Sequence, residues 1–299
     1  MTRKSRHSSP VEHGFPHLDT VRLAITALFR RLSGDGVRSY DTAFAPADAA
    51  FGPADDLHLG AHRVASAMVR ALRLPDARMV VSFRAMEEAA TVELTAGPEY
   101  FVEVNDRFRI HRRDLAAALA HEATHVLLHR LGLRFPTTAA DEILTDTAAT
   151  LLGAGWLLLD AYREDELTHQ KLGYLTPEEF GYVLAKRARL LGGEDLSAWF
   201  TSPQAYEAYV RGRALADQDL RRAPLAAAGR PERRRYARDR AAGAAAPGHG
   251  AAYRFEEHGD GLRVSFPCPV CEQRLRLPAG GGPVRARCGL CHSVLECDT

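Results

Sequence analysis

His121-Glu122-Ala123-Thr124-His125 sets two imidazoles four positions apart, with a carboxylate beside the first. On an α-helix that spacing leaves the two side chains about 40° apart on one face, so both rings can aim at a single metal ion. Zinc accepts imidazole nitrogens at about 2 Å and lowers the pKa of a coordinated water toward about 7. Glu122 then stands where it can take the proton as the water attacks a carbonyl. The chain has 13 histidines, so the motif could arise by chance. Its surroundings favour chemistry: Leu115, Leu119, Val126 and Leu127 give the segment an apolar helical pattern, and a β-like run precedes it.

A third ligand is available on the next expected helix. Glu142 follows His125 by 17 positions, enough for the chain to turn across Gly132 and Pro136 and lay a second helix against the first. Asp146 follows Glu142 by one helical turn and shares its face. Glu142 can complete the protein ligands, and Asp146 can accept the second ring N–H of a zinc histidine and fix its orientation. The competing reading makes both carboxylates a solvated first turn stabilised by the helix dipole. His129 continues the four-residue series but drifts around the axis away from the metal, and His111 reads as a loop or cap residue.

H-E-x-x-H followed by Glu142-x-x-x-Asp146 on a second helix resembles the signature of the gluzincin metallopeptidases, over about residues 57–160. The resemblance implies peptide hydrolysis by a zinc-activated water, with His121, His125 and Glu142 as ligands, Glu122 as general base and Asp146 behind the ligands. It further implies that the strand before the active helix, here Tyr100, Phe101, Val102, Glu103, Val104 and Asn105, pairs along its edge with an extended peptide. The gap between the two motifs is shorter than in thermolysin-like members and closer to minimal gluzincin domains. The family expects an oxyanion-stabilising Tyr or His beyond the second helix; His169, Tyr174 and Tyr182 are available, with no motif to choose among them.

A second chemistry lies near the end of the chain. All five cysteines follow residue 267, and Cys268-x-x-Cys271 and Cys288-x-x-Cys291 are separated by 16 residues. Four thiolates in this pattern suit a closed, structural tetrahedral zinc, with a hairpin of residues 274–277 and 283–286 expected between the knuckles. A closed site folds a segment too small for its own core. The segment resembles a zinc ribbon, which implies docking to protein or nucleic acid. A redox role for the Cys-x-x-Cys pairs is the competitor, and Cys297 reads as a small buried hydrophobe.

The remaining sequence supplies the elements that hold these sites. Helical periodicity covers residues 21–32, 57–74, 113–131, 138–159, 176–191 and 203–220, and β-like runs cover 79–83, 91–94 and 100–105. Thr138-x-x-Asp141 has the form of a capping box. The fold class expected is α+β: a zincin-like domain at 57–220 after an N-terminal helical extension at 1–56, then a linker rich in Ala, Gly and Arg at 221–250, and a small β zinc ribbon at 251–299.

With 39 basic and 38 acidic residues, the chain is not one that binds polyanions over its whole surface, so nucleic-acid contact would be local. The N-terminus shows no signal peptide, and the most apolar run, 148–159, is short of the ~20 residues a membrane span needs. The expectation is a soluble, cytoplasmic zinc metallopeptidase with one catalytic and one structural zinc, a protein or peptide substrate, and a protein or nucleic-acid partner for the ribbon. The alternative is a nucleic-acid- or protein-binding zinc-ribbon protein on a non-catalytic scaffold.

Overall fold

The computed structural model describes residues 11–52, 54–165, 169–192, 195–245, 251–259, 261–280 and 282–299 as a mixture of helices and small sheets. The chain divides into two compact units. One comprises the chain up to Ala24 with Ser39–Arg213, the other Ile25–Arg38 with Ala214–Thr299. Helix α1 (Leu18–Arg38) therefore belongs to both, and its helical geometry is interrupted at Ser33, where φ is 67°. Among the described residues no helix is long and apolar enough to cross a membrane.

In the first unit, the short α2 (Pro46–Ala49) precedes α3 (Leu57–Ala71), which starts where the Asp56 side chain accepts the Leu59 N–H and buries Val64, Ala65 and Met68. Strands β1 (Arg78–Arg84), β2 (Ala90–Val92) and β3 (Glu99–Asn105) follow and form a sheet of order β1-β3-β2, with β1 parallel and β2 antiparallel to β3. Strand β3 alternates as its sequence requires, with Tyr100, Val102 and Val104 buried.

The topology corrects one expectation. Tyr100, Phe101, Val102, Glu103, Val104 and Asn105 do not form an edge, because β3 is paired on both sides: with β1 along its whole length and with β2 from Val102 to Val104. The edges of the sheet are β1 and the short β2. Alternating hydrophobicity reports which face of a strand is buried and carries no information about strand order. Asn105 instead anchors the approach to β2, its side-chain amide donating to the carbonyls of Met86 and Glu88.

The sheet packs on α4 (Leu115–Leu131), a helix so apolar that Leu115 to Ala120 and Val126 to Leu128 are all buried; it ends at Gly132 in the left-handed conformation, φ 60°. Helix α5 (Thr138–Leu151) lies against it. The cap of α5 is Thr137, whose hydroxyl accepts the Ala140 N–H, and not Thr138; Asp141 turns back to accept the Phe135 N–H. The single helix expected through residue 159 is broken by a turn at Gly153, φ 107°, before α6 (Trp156–Asp160). A two-stranded ribbon of β4 (Arg163–Glu164) and β5 (His169–Gln170) then leads to α7 (Pro177–Leu191), opened by a full capping box between Thr176 and Glu179, and to α8 (Pro203–Asp219).

In the second unit the segment read as linker contains a helix, α9 (Arg230–Ala242), with Pro231 in its first turn and Gly243 after its end. Its Tyr236 is buried against Tyr253 and Phe255, which ties it to the cysteine-rich β region. There β6 (Arg254–His258), β7 (Gly261–Pro267) and β8 (Arg274–Pro278) form one antiparallel sheet, and β9 (Pro283–Arg287) and β10 (Val294–Asp298) another.

The hairpin expected between residues 274–277 and 283–286 is therefore not made. Each Cys-x-x-Cys is itself the turn of a hairpin, β7 to β8 and β9 to β10. The two turns repeat one geometry: Cys268 and Cys288 donate to the carbonyls of Gln273 and Ser293, and Glu272 and His292 take positive φ of 62° and 61°.

Candidate active site

His121, Glu122 and His125 stand on α4, Glu142, Thr145 and Asp146 on α5, and Gly173 to Leu175 on the loop before α7. His121 Nε2 lies 3.1 Å from His125 Nε2 and 3.1 Å from a Glu142 carboxylate oxygen, and His125 Nε2 lies 3.3 Å from the same oxygen. The three donor atoms thus form a nearly equilateral triangle. A tetrahedral ion with ligands at about 2.0–2.1 Å needs donor separations of about 3.3–3.4 Å, so small adjustments bring these three onto one ion. Together they form a group able to hold a metal.

The opposite ring nitrogens are committed. Asp146, fully buried, places Oδ1 2.8 Å from His121 Nδ1, and its Oδ2 accepts the backbone N–H groups of Tyr174 and Leu175, the latter at 3.0 Å. The Thr145 hydroxyl donates to the Asp141 carbonyl at 3.0 Å, so its oxygen is left to accept from His125 Nδ1 at 3.3 Å. Both imidazoles therefore carry hydrogen on Nδ1 and turn Nε2 toward the same point. Asp146 stands behind His121; Thr145, behind His125, had no spacing signal to find it.

Electrostatics at this point favour a cation. Burial opposes the charge of His121, yet its bonds to Asp146 and Glu142 raise it well above the ordinary imidazole range. Burial likewise opposes ionisation of Glu142, but hydrogen bonds from the two histidines hold it down at about 2. Burial pushes Glu122 up, and its carboxyl makes no hydrogen bond to a described residue.

Glu122 and the donor triangle line a cleft of about 480 Å³, walled by residues 88–92 of the β2 region, Leu94, Ala118, Leu158 and the loop carrying Leu172, Gly173 and Tyr174. Ala89 and Glu93 bond through their backbones to β3, so by antiparallel alternation Ala90 and Val92 turn their N–H and C=O to the open side. Tyr174, half exposed, stacks on His121 with ring centroids 6.3 Å apart, whereas Tyr182 is buried within α7. The side chain of His169 lies outside the described residues. His129 and His111 are exposed and take no part in the donor group.

Gly173 makes the clamp on Asp146 feasible. It has φ 81°, and a Cβ there would meet the Asp146 carboxylate oxygens at 2.6 and 2.8 Å.

The second candidate centre is closed. Cys268, Cys271, Cys288 and Cys291 are all fully buried, with Sγ atoms 3.7 Å apart for Cys268 and Cys291 and 3.6 Å for Cys271 and Cys288. These separations exclude disulfides, which need about 2.05 Å, and fit a tetrahedral ion with sulfur ligands at about 2.3 Å. Helix α1 supports both knuckles: the Thr26 hydroxyl donates to the Cys271 carbonyl at 2.9 Å and Arg38 to that of Cys291 at 2.7 Å. Cys297 is separate, and burial pushes its thiol up to about 11.

No protein-family description, characterised protein or solved structure matches this chain.

Proposed function

We propose that the first unit is a zincin-like metallopeptidase of the gluzincin type, and that the cysteine module is a zinc ribbon that targets it. The carrying observation is the triangle of His121 Nε2, His125 Nε2 and the Glu142 carboxylate at 3.1–3.3 Å, with Glu122 unengaged beside it and a free strand edge along the same cleft. Two imidazoles and one carboxylate leave a fourth position open, the donor set of catalytic rather than structural zinc. Zinc held there would supply Lewis acidity and ready acidification of water.

The chain's own residues complete the reaction. The backbone of Ala90 and Val92 pairs with an extended peptide and lays its scissile carbonyl over the donor triangle. Glu122 takes a proton from the attacking water and delivers it to the departing amide nitrogen, which leaves as an amine while the carbonyl carbon becomes a carboxylate. Tyr174, from the loop clamped on Asp146, donates its phenolic hydrogen to the carbonyl oxygen as charge grows there. Asp146 and Thr145 keep the two imidazoles turned toward the metal throughout.

Digestion of a peptide mixture, read by mass spectrometry, tests the reading. The zinc-loaded protein cleaves, a chelator stops it, and Glu122→Gln, which retains the metal ligands, loses about 10²–10⁴ of the rate. Cleavage unaffected by Glu122→Gln would place the chemistry elsewhere.

A further inference from the structure

Helix α9 sorts its arginines onto two faces. Tyr236 marks the buried side. At about 100° per residue, Arg233 and Arg240 lie within about 60° of it, and both hold the unit together: Arg233 donates to the carbonyls of Ala226 and Ala228, and Arg240 to that of Thr299. The two carboxylates of the helix, Glu232 and Asp239, also lie within about 60° of Tyr236. Asp239 accepts from Tyr253 and pairs with Arg235.

Arg230, Arg234 and Arg238 occupy the opposite side. They stand four residues apart, about 6 Å of rise each, between about 120° and 200° from Tyr236. All three side chains are exposed, and none makes an ion pair or hydrogen bond to a described residue. Among the described residues nothing in the fold uses these three charges. The β region adds Arg254 and Arg287, whose side chains are also exposed and make no ion pair or hydrogen bond to a described residue.

The charge of the two units is opposite. Ile25–Arg38 with Ala214–Thr299 contains 17 arginines and 11 carboxylates, while the rest of the chain has 22 basic and 27 acidic residues. The near-neutral total conceals a basic module attached to an acidic one. A row of unpaired guanidinium groups on a basic module is complementary to a regularly spaced polyanion.

We propose that the Arg230, Arg234 and Arg238 face of α9 binds the phosphate backbone of duplex nucleic acid without reading its sequence. The Tyr and Phe residues of this unit, Phe29, Tyr236, Tyr253, Phe255 and Phe266, are all buried, so among the described residues its exposed aromatic rings are only the smaller imidazoles of His258 and His292, a poor platform for stacking unpaired bases. That favours a duplex over a single strand. The surface would bring the proteolytic unit to substrates on nucleic acid, but the binding itself does not depend on the peptidase reading.

The test is fluorescence anisotropy of a labelled random-sequence DNA duplex titrated with full-length protein at several salt concentrations. Wild type binds with affinity that falls steeply as salt rises. The triple variant Arg230→Gln, Arg234→Gln, Arg238→Gln lowers the log–log salt slope by about three, and the corresponding triple lysine variant retains it. None of the three side chains supports the fold, so metal content and melting temperature are unchanged in both. Glu122→Gln binds like wild type, which separates this result from failure of the peptidase reading. The proposal is overturned by no binding in wild type, by an unchanged slope in the glutamine variant, by tighter binding to a single strand, or by binding to phosphatidylserine vesicles in place of the duplex.

Discussion

Asp146 Oδ1 lies 2.8 Å from His121 Nδ1, while its other oxygen holds the N–H groups of Tyr174 and Leu175. One buried carboxylate thus sets the tautomer of a histidine in the group that could hold a metal, and the position of the loop that walls the cleft. Asp146→Asn keeps the shape but offers an amide in place of one carboxylate oxygen. Competition with a chromophoric chelator is expected to show about 10–100-fold weaker metal binding at the His121 site, with the cysteine site unaffected. Equal affinity would mean that Asp146 does not orient the ring.

Gly173→Ala strikes the same clamp from the other side. Its Cβ meets the Asp146 oxygens at 2.6 and 2.8 Å in a backbone conformation, φ 81°, that side chains rarely adopt. Chemical denaturation should register a loss of about 1–3 kcal/mol. Peptidase kcat should fall with it, since the loop carrying Tyr174 must shift.

The N-terminal segment of the first unit, residues 11–17, braces that loop. The Thr176 hydroxyl accepts the Glu179 N–H at 3.1 Å and donates to the Gly14 carbonyl at 2.7 Å, while Glu178 and Glu179 accept the N–H groups of Gly14 and His17. Thr176→Val removes both hydroxyl bonds at a buried site and should cost about 1–2 kcal/mol in denaturant unfolding. His13→Ala, which loses half-exposed contacts to Glu164 and Glu178, should cost less than about 1 kcal/mol.

Loss of the cysteine-bound metal should be felt in α1. Because Thr26 and Arg38 hold the carbonyls of Cys271 and Cys291, Cys288→Ser is expected to speed amide hydrogen exchange across Ile25–Arg38 as well as in β7 to β10. Exchange confined to the β region would show that the helix does not depend on the knuckles.

The legible parts were those with a short period or a fixed spacing. Two histidines one helical turn apart, a Glu and an Asp one turn apart, and two Cys-x-x-Cys pairs each declare a common face or turn, and the structure brings each set together. Strand order was not legible: β3 alternates as a half-buried strand, yet it is the central one, and the edge that borders the cleft is β2, whose three residues carry almost no pattern. Thr145 and Gly173 were also hidden, since each matters through one distant partner, His125 and Asp146. Arg230–Ala242 read as linker because its helix buries a single side chain, Tyr236, and so has no apolar stripe.

Metal content per chain by elemental analysis, on wild type, Glu142→Ala and Cys268→Ser, decides whether His121, His125 and Glu142 hold a zinc ion independent of the cysteine site. Two zinc ions are expected in wild type, with one lost in each variant and the other kept. A single zinc that survives Glu142→Ala and disappears with Cys268→Ser would leave the His121, His125 and Glu142 group without a metal and contradict the assignment of a peptidase.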